Sequence, residues 1–178
     1  KVALNAFAVE GFGNTELYLL EPKHEKHRDM TRRLYNGQGK SRIAQEMILG
    51  IGGVRLMRAL NIPVELYHFN EGHALFAGFE LIREKMEAGL TFRQAFAATK
   101  AEVVFTTHTP VKAGNEIHQI SDLVEQGVGL GVMGEAEFAE LGGNPMPVDS
   151  NDYVEINGGL VVNTRPDKDE VGFRTFGG

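Results

Sequence analysis

Asn70, Glu71 and His73 stand together in "VELYHFNEGHALF", residues 64–76, where a β-type apolar run stops and helical spacing begins. Thr106, Thr107, His108 and Thr109 stand in the same relation to a second apolar run, in "AEVVFTTHTPVKAGN", residues 101–115. These side chains are short, polar and directional. They supply donors and acceptors suited to a hydroxyl-rich ligand, and a neutral imidazole can donate from one ring nitrogen while accepting at the other. Glu71 has the chemistry of a base or of a plain acceptor. The competing explanation is local: Asn70 and Thr106 cap the segments that follow, and His108 is a satisfied buried histidine. Two such clusters on adjacent strand ends favour a ligand site over capping.

The elements that must hold these residues can be read from periodicity. "KVALNAFAV" and "TELYLLEP" are two strands around the glycine turn "EGFGN", the second closed by Pro22. "KHEKHRDMTRRLYNGQGK" is a charged loop with one helical turn. Residues 41–60 carry apolar side chains three and four apart, a helix with Ser41 as its N-cap. Gly50, Gly52 and Gly53 sit inside it, and each costs roughly 1 kcal/mol relative to alanine. Close packing of the helix on a sheet is the expected reason; close approach of its backbone to a ligand is the alternative. A strand over 64–69 follows. Next come a helix ended by Gly89, a helix with Thr91 as N-cap, a strand over 102–105, a helix over "EIHQISDLVEQG" and a short acidic helix, "GEAEFAEL". After Gly143, "DYVEINGGLVVNTRPDKDEVGFRTF" alternates like a β-hairpin around Asn157-Gly158-Gly159.

Strand–helix alternation over 61–125 predicts βαβ units and a parallel sheet, hence an α/β fold. In such sheets ligands bind outside the carboxyl ends of the strands, where both polar clusters fall.

Composition narrows the function classes. The chain has 178 residues, 42% hydrophobic and 24% charged, the profile of an ordinary globular protein. Its net charge of −6 argues against a nucleic-acid partner. Without cysteine it has no disulfide framework or thiolate chemistry, which fits a reducing compartment such as the cytoplasm. No apolar stretch approaches the roughly 18 residues of a membrane span. The chain opens on Lys1 in what reads as the middle of a sheet, so a fragment is expected. His24 and His27 lie in a charged loop, and His68 and His73 are five apart, so no metal site is expected. Gly129, Gly131 and Gly134 match GxGxxG, but after a helix end rather than a strand; the match is read as accidental. Ser41, Ser121 and Ser150 lack the context of a hydrolytic nucleophile.

"TRRLYNGQGKSRIAQEMILGIGGVRLMRALNIPVELYHFNEGHALF" together with "VVFTTHTPVKAGNE" closely resembles the α-glucan (glycogen/maltodextrin) phosphorylase family, in its shorter bacterial and archaeal branch. The resemblance covers roughly residues 1–146. It implies part of the N-terminal Rossmann-like domain of a GT-B architecture, with residues 147–178 a divergent β-rich tail of unknown role. It also implies phosphorolysis of terminal α-1,4-glucosidic bonds of glucan or maltodextrin, with inorganic phosphate as co-substrate and glucose 1-phosphate as product. His108 matches the family's histidine that contacts the glucose and helps stabilise the cationic transition state. Asn70, Glu71, Gly72 and His73 match the sugar-site loop, and Thr107 and Thr109 flank His108 in the second loop. At the positions of Glu71 and Gly72, vertebrate-type members carry aspartate and threonine. The family's cofactor is pyridoxal phosphate, whose lysine lies in a C-terminal domain outside this chain. A homo-oligomer is a further partner that the resemblance allows. Two rival readings are a non-catalytic maltodextrin-binding module of the same fold and a GT-B glycosyltransferase using a sugar nucleotide.

Overall fold

A computed structural model describes residues 1–11, 13, 15–34, 39–106, 116–141 and 153–156, the last group by backbone alone. Strands β1 (Leu4–Val9) and β2 (Leu17–Pro22) form the expected antiparallel hairpin, in register from Leu4 opposite Pro22 to Val9 opposite Leu17. The charged loop contains one 3-10 turn, Glu25–Met30.

Helix α1 runs Lys40–Ala59. Its N-cap is Gly39, at φ 58°, and not Ser41; no side chain caps it. Its far end is a Schellman turn. Asn61 takes the left-handed conformation at φ 54°, and the Ile62 N–H reaches back to the Met57 carbonyl at 3.0 Å. Pro63 then prevents any continuation.

Strand β3 (Tyr67–Asn70) leads through a 3-10 turn (Gly72–Ala74) into helix α2 (Leu75–Glu87). Gly89, at φ 102°, stops α2 where expected. Helix α3 (Phe92–Ala101) opens on a capping box: Thr91 Oγ1 accepts from the Gln94 N–H at 3.4 Å, and Gln94 Oε1 accepts from the Thr91 N–H at 3.0 Å. Strand β4 (Val103–Thr106) returns parallel to β3, with Tyr67 opposite Val103 and Asn70 opposite Thr106. The parallel pairing expected from the alternation is therefore present, in a mixed α/β fold.

The helix expected over "EIHQISDLVEQG" begins late. Glu116–Gln119 is strand β5, and only Ile120–Gln126 is helical, as α4. Antiparallel pairing with β6 (Tyr153–Ile156) draws β5 out of the helical pattern. Long-range pairing thus overrides a short local propensity. The hairpin expected around Asn157 lies outside the described residues, and the described partner of β6 is β5. Helix α5 is Glu135–Leu141.

Helix α2 is the centre of the fold. One face joins Phe76, Phe79 and Ile82 to Ile43 and Ile51 of α1, Ala95 of α3, Leu123 of α4 and Phe138 of α5. Phe79 stacks obliquely on Phe76 at 5.3 Å and on Phe138 at 5.6 Å between ring centroids. The other face sets Ala77 and Leu81 against Val54 and against Phe69 of β3. Fully burying one such side chain is worth about 1.5–3 kcal/mol.

Two α1 glycines are explained by contact. A Cβ on Gly50 would lie 2.5 Å from the Ala77 nitrogen and 2.8 Å from the Phe76 carbonyl carbon, so α1 and α2 touch backbone to backbone. This corrects the expected packing on a sheet, which holds instead for Gly52. A Cβ there would meet Leu4 at 2.9 Å and Leu20 at 3.2 Å, on the β1–β2 hairpin. Nothing lies within 4 Å of a Cβ on Gly53.

The α1–α2 contact also buries charge. Glu80 is fully inaccessible and receives both Arg55 Nε (2.8 Å) and Arg55 NH2 (2.9 Å), with Arg83 NH2 at 2.6 Å. Burial alone would raise the Glu80 carboxyl, but the hydrogen bonds and charges of the two arginines outweigh it and hold its pKa below the ordinary 4.5.

Two outcomes follow for stability, read by denaturant unfolding of the full-length protein. Gly50→Ala should destabilise by about 2 kcal/mol, because neither backbone can give way, whereas Gly53→Ala should stabilise by about 0.5–1 kcal/mol through helix propensity. The reverse order would contradict the helix contact. Glu80→Gln should be less stable than wild type at neutral pH. A depressed folded pKa gives stability that is present above the unfolded value and lost as pH falls through the folded one. The gap to wild type should therefore hold down to the ordinary carboxylate value and close below it. A gap that persists unchanged in strong acid would remove the charge explanation.

Candidate functional site

The parallel pairing of β3 and β4 sets two polar strand ends side by side. Asn70 is exposed at the end of β3, opposite Thr106 at the end of β4. The ladder continues one step further, because the Glu71 N–H donates to the Thr106 carbonyl at 2.9 Å. His68 Nε2 lies 2.9 Å from Thr106 Oγ1 across the pair. His68 and His73 diverge: the first stays on the exposed strand surface and the second passes into the turn before α2.

Glu71 is the unusual residue. Its side chain is buried, at 7% relative exposure, and its backbone is at φ 62°, ψ −175°. That region is almost confined to glycine, and an ordinary residue held there stores of order 1–3 kcal/mol. Such strain persists only where the surroundings enforce it. Here the bond to Thr106 fixes one side of the residue and the turn into α2 fixes the other. Glu71, and not Asn70, occupies the N-cap position of the Gly72–Ala74 turn, and its side chain makes no capping bond. Asn70 therefore does not cap this turn.

His73 points back to helix α1. Its Nδ1 is 3.1 Å from Arg42 NH2. Arg42 is itself buried; its Nε lies 2.8 Å from Glu46 Oε1, and its NH1 donates to Gln45 Oε1 at 2.8 Å. Glu46 Oε2 lies 2.8 Å from Nε2 of His118 on β5, and the His118 ring packs against Phe76 at 5.9 Å. A buried polar chain thus runs His73–Arg42–Glu46–His118 through the core. Sequence pattern alone does not single out Arg42, Glu46 and His118. The one available signal was an Arg and a Glu at i and i+4 among the apolar positions of α1. Nothing local marked His118.

Thr107, His108 and Thr109 lie outside the described residues, so the structure places the Asn70–His73 half of the candidate site and leads the chain towards the other half at Thr106. Among the described residues, no three His, Asp or Glu side chains converge as metal ligands. The GxGxxG glycines follow α4, whose C-cap is Gly127, and not a strand. A Cβ on Gly129 would collide with the Met133 carbonyl oxygen, so its own turn explains that glycine.

Comparison with known proteins gives an independent view. The chain is 42% identical over 126 residues to a maltodextrin phosphorylase of Thermococcus litoralis, covering 68% of this chain and 15% of that protein. It is 47% identical over 112 residues to a glycogen phosphorylase of Mycobacterium tuberculosis, covering 57% of this chain and 13% of that protein. A glycogen phosphorylase of Aquifex aeolicus is 31% identical over 118 residues, covering 64% and 17%. The matched part therefore spans 13–17% of the length of these relatives. No family model and no solved structure matches the chain.

The strain at Glu71 is open to a direct check. Glu71→Gly and Glu71→Ala remove the same carboxylate, but only glycine relaxes the backbone. The glycine variant should be more stable than the alanine variant by about 1 kcal/mol, once the larger entropy loss of glycine offsets part of the strain. Thermal unfolding in which alanine equals or exceeds glycine would mean that the backbone is not strained there.

Proposed function

We infer that this chain, which belongs to the glycogen and maltodextrin phosphorylase family, supplies one half of a glucosyl site in an α-1,4-glucan phosphorylase. The full protein would cleave the terminal glucosidic bond with inorganic phosphate and release glucose 1-phosphate. The observation that carries this reading is the register of β3 and β4. It puts the start of the Asn70–His73 turn beside Thr106, the residue that leads into Thr107, His108 and Thr109. Two short polar loops at the carboxyl ends of adjacent parallel strands are where an α/β sheet binds its ligand. In this reading His108 faces the glucosyl unit and stabilises the cationic transition state. Asn70, Glu71, Gly72, His73, Thr107 and Thr109 line the sugar.

Residues 1–146 would then be part of the N-terminal Rossmann-like domain of a GT-B enzyme, with 147–178 a divergent tail. The cytoplasm is the proposed compartment. Among the described residues, no helix is long and apolar enough to cross a membrane. Pyridoxal phosphate would supply a phosphate group as proton shuttle, held through a lysine. The described lysines do not fit that task. Lys40 pairs with Glu125 and Asp122, Lys85 pairs with Glu102, and Lys1, Lys23, Lys26 and Lys100 are exposed. In this reading the cofactor, together with the groups that grip inorganic phosphate, belongs to the C-terminal domain that the family resemblance implies. Catalysis would require both halves aligned across one cleft.

The full-length protein, supplied with maltodextrin, inorganic phosphate and pyridoxal phosphate, should release glucose 1-phosphate. His108→Ala should lower kcat/KM roughly 10²-fold, the scale seen when one preorganised electrostatic contact is lost. Unchanged turnover in that variant would falsify the site assignment. Glucan binding without phosphorolysis would point to a binding module, and dependence on a sugar nucleotide would point to a different glycosyltransferase.

A further inference from the structure

Arg42 is buried at 7% exposure, Glu46 at 2% and His118 at 3%, so all three polar groups lie in the core. Burying charge is costly unless every group is paired and bonded. Apolar side chains of similar volume would pack α1 against its neighbours without that cost. What the charged set adds is direction. A guanidinium carries five donors, no acceptor, and keeps its charge at all working pH. The His73 nitrogen facing it at 3.1 Å must therefore offer a lone pair, and that nitrogen is Nδ1. A carboxylate only accepts, so the His118 nitrogen facing Glu46 at 2.8 Å carries the proton. Gln45 is fixed in turn, since its Oε1 accepts from Arg42 and its Nε2 donates to the Arg33 carbonyl, each at 2.8 Å.

We infer that Arg42 is a positioning residue for His73: held by the buried Glu46 carboxylate, it accepts no proton, fixes the imidazole ring, and selects the tautomer with the proton on Nε2. His73 is thereby a donor at Nε2 and never an acceptor there in its neutral form. Glu46 acts one step further back, anchored on its other side by His118 of β5. A donor-only imidazole suits the oxygen lone pairs of a hydroxyl or a phosphate and is poorly matched to a group that can only donate. The consequence for turnover rests on the glucan phosphorylase reading, whereas the tautomer assignment does not.

The test uses the full-length protein labelled with ¹⁵N-histidine. Long-range ¹H–¹⁵N spectra, with the His73 signals assigned by their loss in His73→Gln, should show an unprotonated Nδ1 and a protonated Nε2. Arg42→Lys keeps a positive charge beside Glu46 but lacks the planar fork that also reaches His73. In that variant His73 should revert to a mixture of tautomers. In phosphorolysis assays with maltodextrin and inorganic phosphate, Arg42→Lys should lower kcat/KM about tenfold, a coupling of ordinary size for groups in contact. Adding it to His73→Gln should cause no further loss. If Arg42→Lys does not fold, Glu46→Gln removes the charge and leaves a single acceptor oxygen between Arg42 and His118, and should show the same mixed tautomers. A protonated Nδ1 in the wild type, an unchanged tautomer in the variants, or losses that multiply in the double variant would each overturn the inference. A wild-type protein that releases no glucose 1-phosphate would sink the phosphorylase reading instead, and the spectra would still decide the role of Arg42.

Discussion

The fold turns on one contact: the backbone of α1 at Gly50 lies directly on the backbone of α2 at Phe76 and Ala77. With no side chain between them, the two helices are locked in register as well as in distance. Helix α2 begins immediately after the strained Glu71 and the turn that carries His73. Helix α1 carries Arg42, two turns before Gly50, and Arg42 meets His73 at 3.1 Å. A small slip between the helices would move Arg42 out of reach of the imidazole. The glycine is thus a packing residue whose effect is felt at the candidate site.

Charge is buried on both sides of this contact. Towards the N-terminus of α1, Arg42 and Glu46 tie the His73 turn to His118 of β5. Towards its C-terminus, Arg55 reaches the buried Glu80 of α2, which also binds Arg83. Surface ion pairs contribute little to stability. Buried, paired ones fix direction, because each wrong arrangement leaves a desolvated charge without a partner. The two sets act as pins through a core that is otherwise phenylalanine and aliphatic side chains, which specify volume better than orientation.

Much of the scaffold was legible beforehand for local reasons. The Thr91–Gln94 capping box, the stop at Gly89 and the β1–β2 hairpin depend on residues within a few positions of one another. The β3–β4 pair was foreseen from alternation, shifted by one to three residues. The misses have a common origin. Ser41 lost the cap to Gly39, whose left-handed backbone no propensity scale favours over a serine. The start of the helix expected after residue 116 became β5 because a strand more than thirty residues away pairs with it. His118 looked like one polar residue on a helix and is a buried partner of Glu46.

By itself the sequence determined the alternation of elements, the position of two polar clusters at strand ends, and the long motifs that make the chain a relative of the glycogen and maltodextrin phosphorylases. These depend on residue type and short spacing, which the linear order records in full. Only the tertiary structure decided that Gly50 meets a helix and not a sheet, that Glu71 is held in a glycine-like conformation, and that Arg42 orients His73. Each of these joins groups distant along the chain at separations of a few ångströms. No local pattern encodes such a meeting, because it exists only once the hydrophobic faces of α1 and α2 have been brought together.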